Sequence, residues 1–229
     1  MDKRGFVGGV YALFEWIMRF SVINLLWLLF NLPILFFIVN LIFAQTIADF
    51  ILLLIPIIIL IPILFFPATT AMFASARSWI VDSEDLPLIR TYWRFYKSNY
   101  KKSCLGGIML TILWVICVVD VYYFAQYNMP LMYVFIAMGL ILFVYTINFF
   151  SLLSHYEMKL FALLKNTLLV TVASPLLFLT VVLSSALILY MSFEVFPFLI
   201  PFFTGAIIAF LSFSAFYRFY LKIEALKEA

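Results

Sequence analysis

The sequence predicts an all-α, polytopic membrane protein with about six transmembrane helices. One further amphipathic helix is expected at the cytoplasmic interface, between the second and third spans. Three observations predict this class. First, 67% of the 229 residues are hydrophobic and only 11% are charged, against roughly 45–50% and about 25% in soluble domains. Second, the apolar residues run unbroken over lengths that cross about 30 Å of hydrocarbon as a helix, without the short alternating strands of a membrane barrel. Third, once six spans are drawn, all 14 lysines and arginines fall on one side.

The chain reads as one transmembrane domain over residues 1–229, with spans at about 20–44, 49–73, 105–127, 131–153, 167–191 and 195–217. Residues 1–10 hold no apolar run followed by a cleavage site, so the first apolar segment is expected to remain as a membrane helix. Lys3, Arg4 and Arg19 precede the first span. Arg77, Arg90, Arg94, Lys97, Lys101 and Lys102 lie between the second and third, Lys159 and Lys165 between the fourth and fifth, and Arg218, Lys222 and Lys227 after the sixth. Excess Lys and Arg marks the cytoplasmic side, so both termini are expected there. The outer connections, around 40–48, 128–130 and 192–194, are short. Prolines punctuate the spans, and Pro56, Pro62 and Pro67 together predict an irregular second helix. Such backbone lines a cavity in transporters, or is only kinked packing.

The one sizeable polar connection contains RTYWRFYKSNYKKS, from Arg90 to Ser103. On a helix Arg90, Arg94, Lys97 and Lys101 share one face, spaced 4, 3 and 4, while Tyr92, Trp93, Tyr96 and Tyr100 lie largely opposite. This pattern predicts an amphipathic helix at about 86–103 in the interface plane, rings at the acyl boundary and cations toward anionic headgroups. Ser83, Glu84 and Asp85 precede it, where negative charge suits a helix N-terminus, and Pro87 fits the first turn. The segment either anchors the third span or docks a cytosolic partner or anionic lipid. Interleaved bases and rings also occur in single-strand binders, but here the bilayer is expected to take the rings, so no nucleic-acid partner is expected.

Polar residues inside spans are candidate functional groups. Asp120, in the outer part of the third span, could couple transport to an ion, or simply reach the outer interface or a hydroxyl; the second reading is favoured. Asn24 and Asn31 share a face of the first span with Trp27 between them, and Asn148 lies in the fourth. Hydrogen bonds across helices are the favoured role for these amides. His155 stands without a second metal ligand at motif spacing, and Cys104 and Cys117 read as apolar fillers. There is no P-loop, Gly-x-Gly-x-x-Gly or Gly-x-Ser-x-Gly. No enzyme, cofactor or metal site is therefore expected, and an energy-using role would need another subunit.

The stretch Phe66-Pro67-Ala68-Thr69-Thr70-Ala71, then Arg77-Ser78-Trp79, then Tyr92 to Lys97, then Leu105-Gly106 resembles the YesL-like family of small bacterial integral membrane proteins, built on a domain of unknown function. Glu15-Trp16, Arg19 and Asn24-Leu25-Leu26-Trp27 also fit. The likeness is detailed in the first half and rests mainly on hydropathy in the second. It departs from the pattern before Pro67, where expected glycines are replaced by Ile, Leu and two extra prolines. The resemblance implies a bacterial cytoplasmic membrane. Genes of the family often neighbour carbohydrate ABC-uptake systems and glycan-degrading enzymes, which implies an accessory or permease-like role beside a cytoplasmic ATPase or sugar-uptake subunits. It carries over no catalytic residues, and leaves Pro67, Ala68, Thr69, Ala71, Arg77 and Trp79 as structural or docking candidates. The alternatives are a stand-alone secondary transporter, and a sensor, immunity or assembly factor that moves nothing.

Overall fold

Helix α1 (Phe6–Ile42) starts well before the expected 20–44 and runs as one helix of 37 residues, about 55 Å at 1.5 Å per residue. Glu15 and Arg19 form an i,i+4 ion pair on it. The computed structural model describes residues 6–82 and 87–228, with no strand among them. After a short turn, Thr46 and Asp49 cap each other's backbone and start α2 (Ile47–Leu60), the reciprocal capping that a Thr followed three residues later by an acid makes possible. The second span is irregular, as its prolines predict. Between α2 and α3 (Phe66–Arg77) the segment Ile61–Phe65 is π-helical, and Phe66 N–H bonds Ile61 O. Pro62 and Pro67 carry no N–H to continue the i→i−4 ladder. A second π turn, Ser78–Asp82, ends this arm.

Helix α4 (Leu88–Tyr127) is one unbroken helix of 40 residues, about 60 Å long. This corrects the expectation of a separate helix at about 86–103 lying in the interface plane. That segment is the first part of the same continuous helix that forms the third span, because its backbone ladder meets no proline before residue 127 and its ring face has protein to pack on. Pro87 is the N-cap rather than a first-turn residue, and Ser83, Glu84 and Asp85 lie outside the described residues. Asn128 caps α5 (Met129–His155) by accepting Leu131 N–H at 3.2 Å. Helices α4 and α5 pair antiparallel: Trp114 Nε1 donates to Thr146 Oγ1 at 3.1 Å, Gly106 faces Phe149, and Gly139 faces Cys117.

The fifth span also needs correction. The run 167–191 is not one helix but the end of α6 (Leu160–Ala173) and the start of α7 (Pro175–Tyr190). Pro175 removes a donor and forces the preceding residue toward extended backbone. Ser174 accordingly sits at φ −125°, ψ 87°, and its Oγ accepts Leu177 N–H to start a new helix. Hydropathy does not register that break. Six helices are long and apolar enough to cross a membrane, the fifth being Pro175–Val195, while α6 is a shorter apolar helix. The outer turn expected at 192–194 is displaced. Ser192 is buried and bonded to Thr204, and the chain leaves helical geometry around Phe196 instead. A π segment, Ile200–Thr204, then leads into α8 (Gly205–Glu228).

The centre of the molecule is α3. Phe66 through Ala76 are all buried, and α3 touches α1, α4, α5 and α8. The outward faces of α1, α2, α4, α5 and α7 expose large apolar side chains, as expected when the solvent is lipid.

Candidate functional site

The first half of α4 carries two opposed faces. Arg90, Arg94, Lys97 and Lys101 are all exposed, and among the described residues none has a carboxylate partner. Lys97 Nζ lies 4.7 Å from the Trp93 ring centroid and the Arg94 guanidinium 5.3 Å from that of Phe95. These contacts orient the cations without neutralising them.

On the opposite face Tyr92 and Tyr96 are taken by protein rather than by the bilayer, which corrects the expectation for those two rings, while Trp93 stays exposed. Tyr92 and Tyr96 are buried. Phe30, in the interior of α1, stacks on Tyr96 at 4.5 Å, Trp93 at 5.7 Å and Tyr92 at 6.0 Å, and Tyr100 continues the series from Tyr96 at 5.6 Å. Tyr92 Oη donates to Ala68 O on α3 at 2.9 Å. Tyr92→Phe is expected to lower stability by about 1 kcal/mol, the net worth of one such bond, measured by thermal unfolding in mild detergent. An unchanged midpoint would show that bond to be idle.

The motif residues form the packing hub under this face. Thr69 Oγ1 accepts from Trp27 Nε1 at 2.9 Å, and Thr70 shares a 2.7 Å hydrogen bond with Ser103 of α4. Pro67, Ala68 and Ala71 are buried in α3. Trp79 packs edge-on against Trp16 and Phe20 of α1, and Arg77 pairs with Asp82 at 2.9 Å.

The intramembrane amides separate by what they reach. Asn24 is fully buried and crosses to the far end of the sequence. Its Nδ2 donates to Ile200 O at 3.0 Å and Pro201 O at 2.7 Å, and its Oδ1 accepts Ala206 N–H at 3.1 Å. Asn148 Nδ2 donates to Thr171 Oγ1 of α6 at 3.0 Å, while its Oδ1 is buried without a partner. Asn31 bonds only Trp27 O of its own helix, its Oδ1 also unpartnered. Asp120 is half-buried in the wall of an open groove between α4, α5 and α6, and no hydroxyl or cation among the described residues meets it. The structure thus joins the α4 face to the α3 motif, but does not bring Asp120 or Asn148 to either.

Sequence reasoning missed the glycine pair Gly106-Gly107, whose missing Cβ atoms admit Phe149 and Phe66. Adjacent small residues in an apolar span were the available signal. It also missed the aromatic surround of His155, whose ring lies 4.7 Å from Tyr156 and 4.8 Å from Tyr220, with Phe213, Phe216 and Tyr217 further out. Tyr156, in the loop after α5, has its phenol pKa raised, first by burial and then by the Glu224 carboxylate. Among the described residues no three His, Cys, Asp or Glu side chains gather as a metal site, and both cysteines are free.

These features define a multi-pass helical membrane protein, organised around a buried central helix and bearing, on a ring-backed helix, a cationic face without carboxylate partners among the described residues. A family model described as "Protein of unknown function, DUF624" matches residues 20–121. That stretch covers α3, its motif and most of α4. The uncharacterized protein YteU of Bacillus subtilis (strain 168) is 30% identical over 98% of this chain and 90% of its own length. The uncharacterized protein YesL of the same organism is 26% identical over 70% of this chain and 65% of its own length. The uncharacterized protein YesV is 26% identical over 60% of this chain and 67% of its own length. The chain belongs to this YesL-like, DUF624 family. No solved structure matches it.

Proposed function

We propose that the chain is an accessory or permease-like membrane subunit of an ABC-type carbohydrate uptake system. It sits in a bacterial cytoplasmic membrane with both termini cytoplasmic, and docks a cytoplasmic ATPase or another uptake subunit on the Arg90, Arg94, Lys97 and Lys101 face. The observation that carries this reading is that face. Four exposed cations, without carboxylate partners among the described residues, stand on one helix, whose other side is locked by Phe30, Tyr92 and Tyr96. A rigid surface of one sign suits electrostatic recognition of an acidic partner. The gene neighbourhood implied by the family resemblance supports the choice of sugar uptake. The absence of a nucleotide motif from the sequence supports an energy source on another chain.

The test is affinity purification in mild detergent from the native host, with quantitative mass spectrometry of what accompanies the protein. A stoichiometric ATPase or uptake subunit is expected, and R94E/K97E should reduce its recovery at least tenfold while expression and topology stay unchanged. Unaltered recovery in that variant, or a protein that purifies alone, would overturn the proposal.

A further inference from the structure

A cavity of about 680 Å³ opens between α7 and α8 and is lined by no residue of α4. Arg218 and Lys222, four residues apart on α8 and therefore on one side of it, line the cavity and stand exposed at its mouth. Neither has a carboxylate partner among the described residues, and no carboxylate lines the cavity. Behind the cations the wall is hydrocarbon, from Leu176, Leu177, Leu211, Ala215 and Phe219.

The hydroxyls in that wall already donate their protons to carbonyls of their own helices. Thr180 donates to Leu176 O at 2.8 Å, Ser184 to Val181 O at 3.3 Å and Ser214 to Phe210 O at 2.7 Å. The start of α7 adds little: Pro175 has no N–H, and Ser174 Oγ already takes Leu177 N–H at 3.3 Å. What remains is two cations at the rim and an apolar slot behind them. A sugar would find few free polar groups there. A small soluble anion would leave the slot unfilled, and a neutral hydrocarbon would leave the cations unmatched.

We infer that this cavity is a site for one anionic phospholipid, its phosphate on Arg218 and Lys222 and an acyl chain between α7 and α8. The break at Ser174 shapes one edge of the slot. The cations of the α4 face differ in this respect, because Phe30 fills the apolar space behind them.

The experiment is native mass spectrometry of the detergent-solubilised protein with phosphatidylglycerol and phosphatidylcholine of identical chains. One phosphatidylglycerol per chain should be retained with at least tenfold preference. R218Q/K222Q should bring that preference to within twofold of unity, while K159Q/K165Q, which removes equal charge at exposed positions elsewhere, leaves it intact. Excess glycerol phosphate should not displace the lipid. Equal retention of the two lipids, or full preference in R218Q/K222Q, overturns the inference. Displacement by glycerol phosphate also overturns it and assigns the cations to a soluble anion. Should the double variant fail to purify, R218Q and K222Q are compared singly, each expected to lose at least threefold, and the wild-type competition still decides.

Discussion

Gly107→Leu is expected to prevent assembly of the α3–α4 contact, and Gly107→Ala to lower stability by about 1–3 kcal/mol, the usual cost of overpacking a dense core. A Cβ on Gly107 would stand 2.7 Å from Phe66 Cγ and 2.9 Å from Phe66 Cβ. The clash lies close to the α3 backbone, so rotating the ring cannot relieve it. At Gly106 the added atom would run into Phe149 Cζ, the far end of a ring that is itself fully buried. Thermal unfolding in detergent reads the effect, with aggregation on gel filtration expected for Gly107→Leu. Gly9→Ala is the matched control, because nothing stands within 4 Å of its Cβ position; it should be neutral or stabilising by up to about 1 kcal/mol from helix propensity. Trimming Phe66 to Leu in the Gly107→Ala background should recover part of the loss. If Gly107→Ala unfolds with the wild type, the close approach of α3 and α4 is wrong.

Asn24→Leu should lower stability by about 2–5 kcal/mol. Bonds between helices within a bilayer are worth about 0.6 kcal/mol on average and up to about 1.7; Asn24 makes three, to Ile200 O, Pro201 O and Ala206 N–H. Leucine leaves that N–H and both carbonyls short of a partner, and a buried group left unpaired costs more than the bond it lost. Asn31→Leu gives the contrast. Asn31 reaches only its own helix, and its Oδ1 is already unpartnered, so that substitution should change stability by less than about 1 kcal/mol. The pair of variants therefore separates a clamp between distant segments from a buried amide as such. Equal losses at the two positions would remove the clamp interpretation.

Much of this architecture is legible in the sequence because hydropathy and charge are summed over many residues. Six spans follow from that, and the cross-helix bonds expected of the span amides are made by Asn24 and Asn148 but not by Asn31, which bonds its own helix. The failures have specific physical causes. The break at Ser174 depends on one missing N–H within an apolar run, which a hydropathy average passes over. The destination of the Tyr92 and Tyr96 rings was misread because amphipathicity reports only that a face is apolar. Lipid tails and a phenylalanine on another helix satisfy it equally. The partners of Asn24 lie 176 to 182 residues away, and no local pattern points across that distance. Gly106 and Gly107 were visible as residues, but the rings that fill their notches belong to α5 and α3 and appear only in the packed molecule.

The continuity of α4 has a mechanical consequence. Its basic face and its glycine contact are parts of one stiff rod, so load applied at one is felt at the other. From the Gly106–Gly107 notch to Arg94 is about 20 Å along the axis, and from the notch to Tyr127 about 30 Å. With the notch as fulcrum, a tilt of about 5° driven from the basic end would swing the opposite end by about 2–3 Å. Two helices joined by a hinge would dissipate that displacement in the linker; a single one would carry it along its whole length.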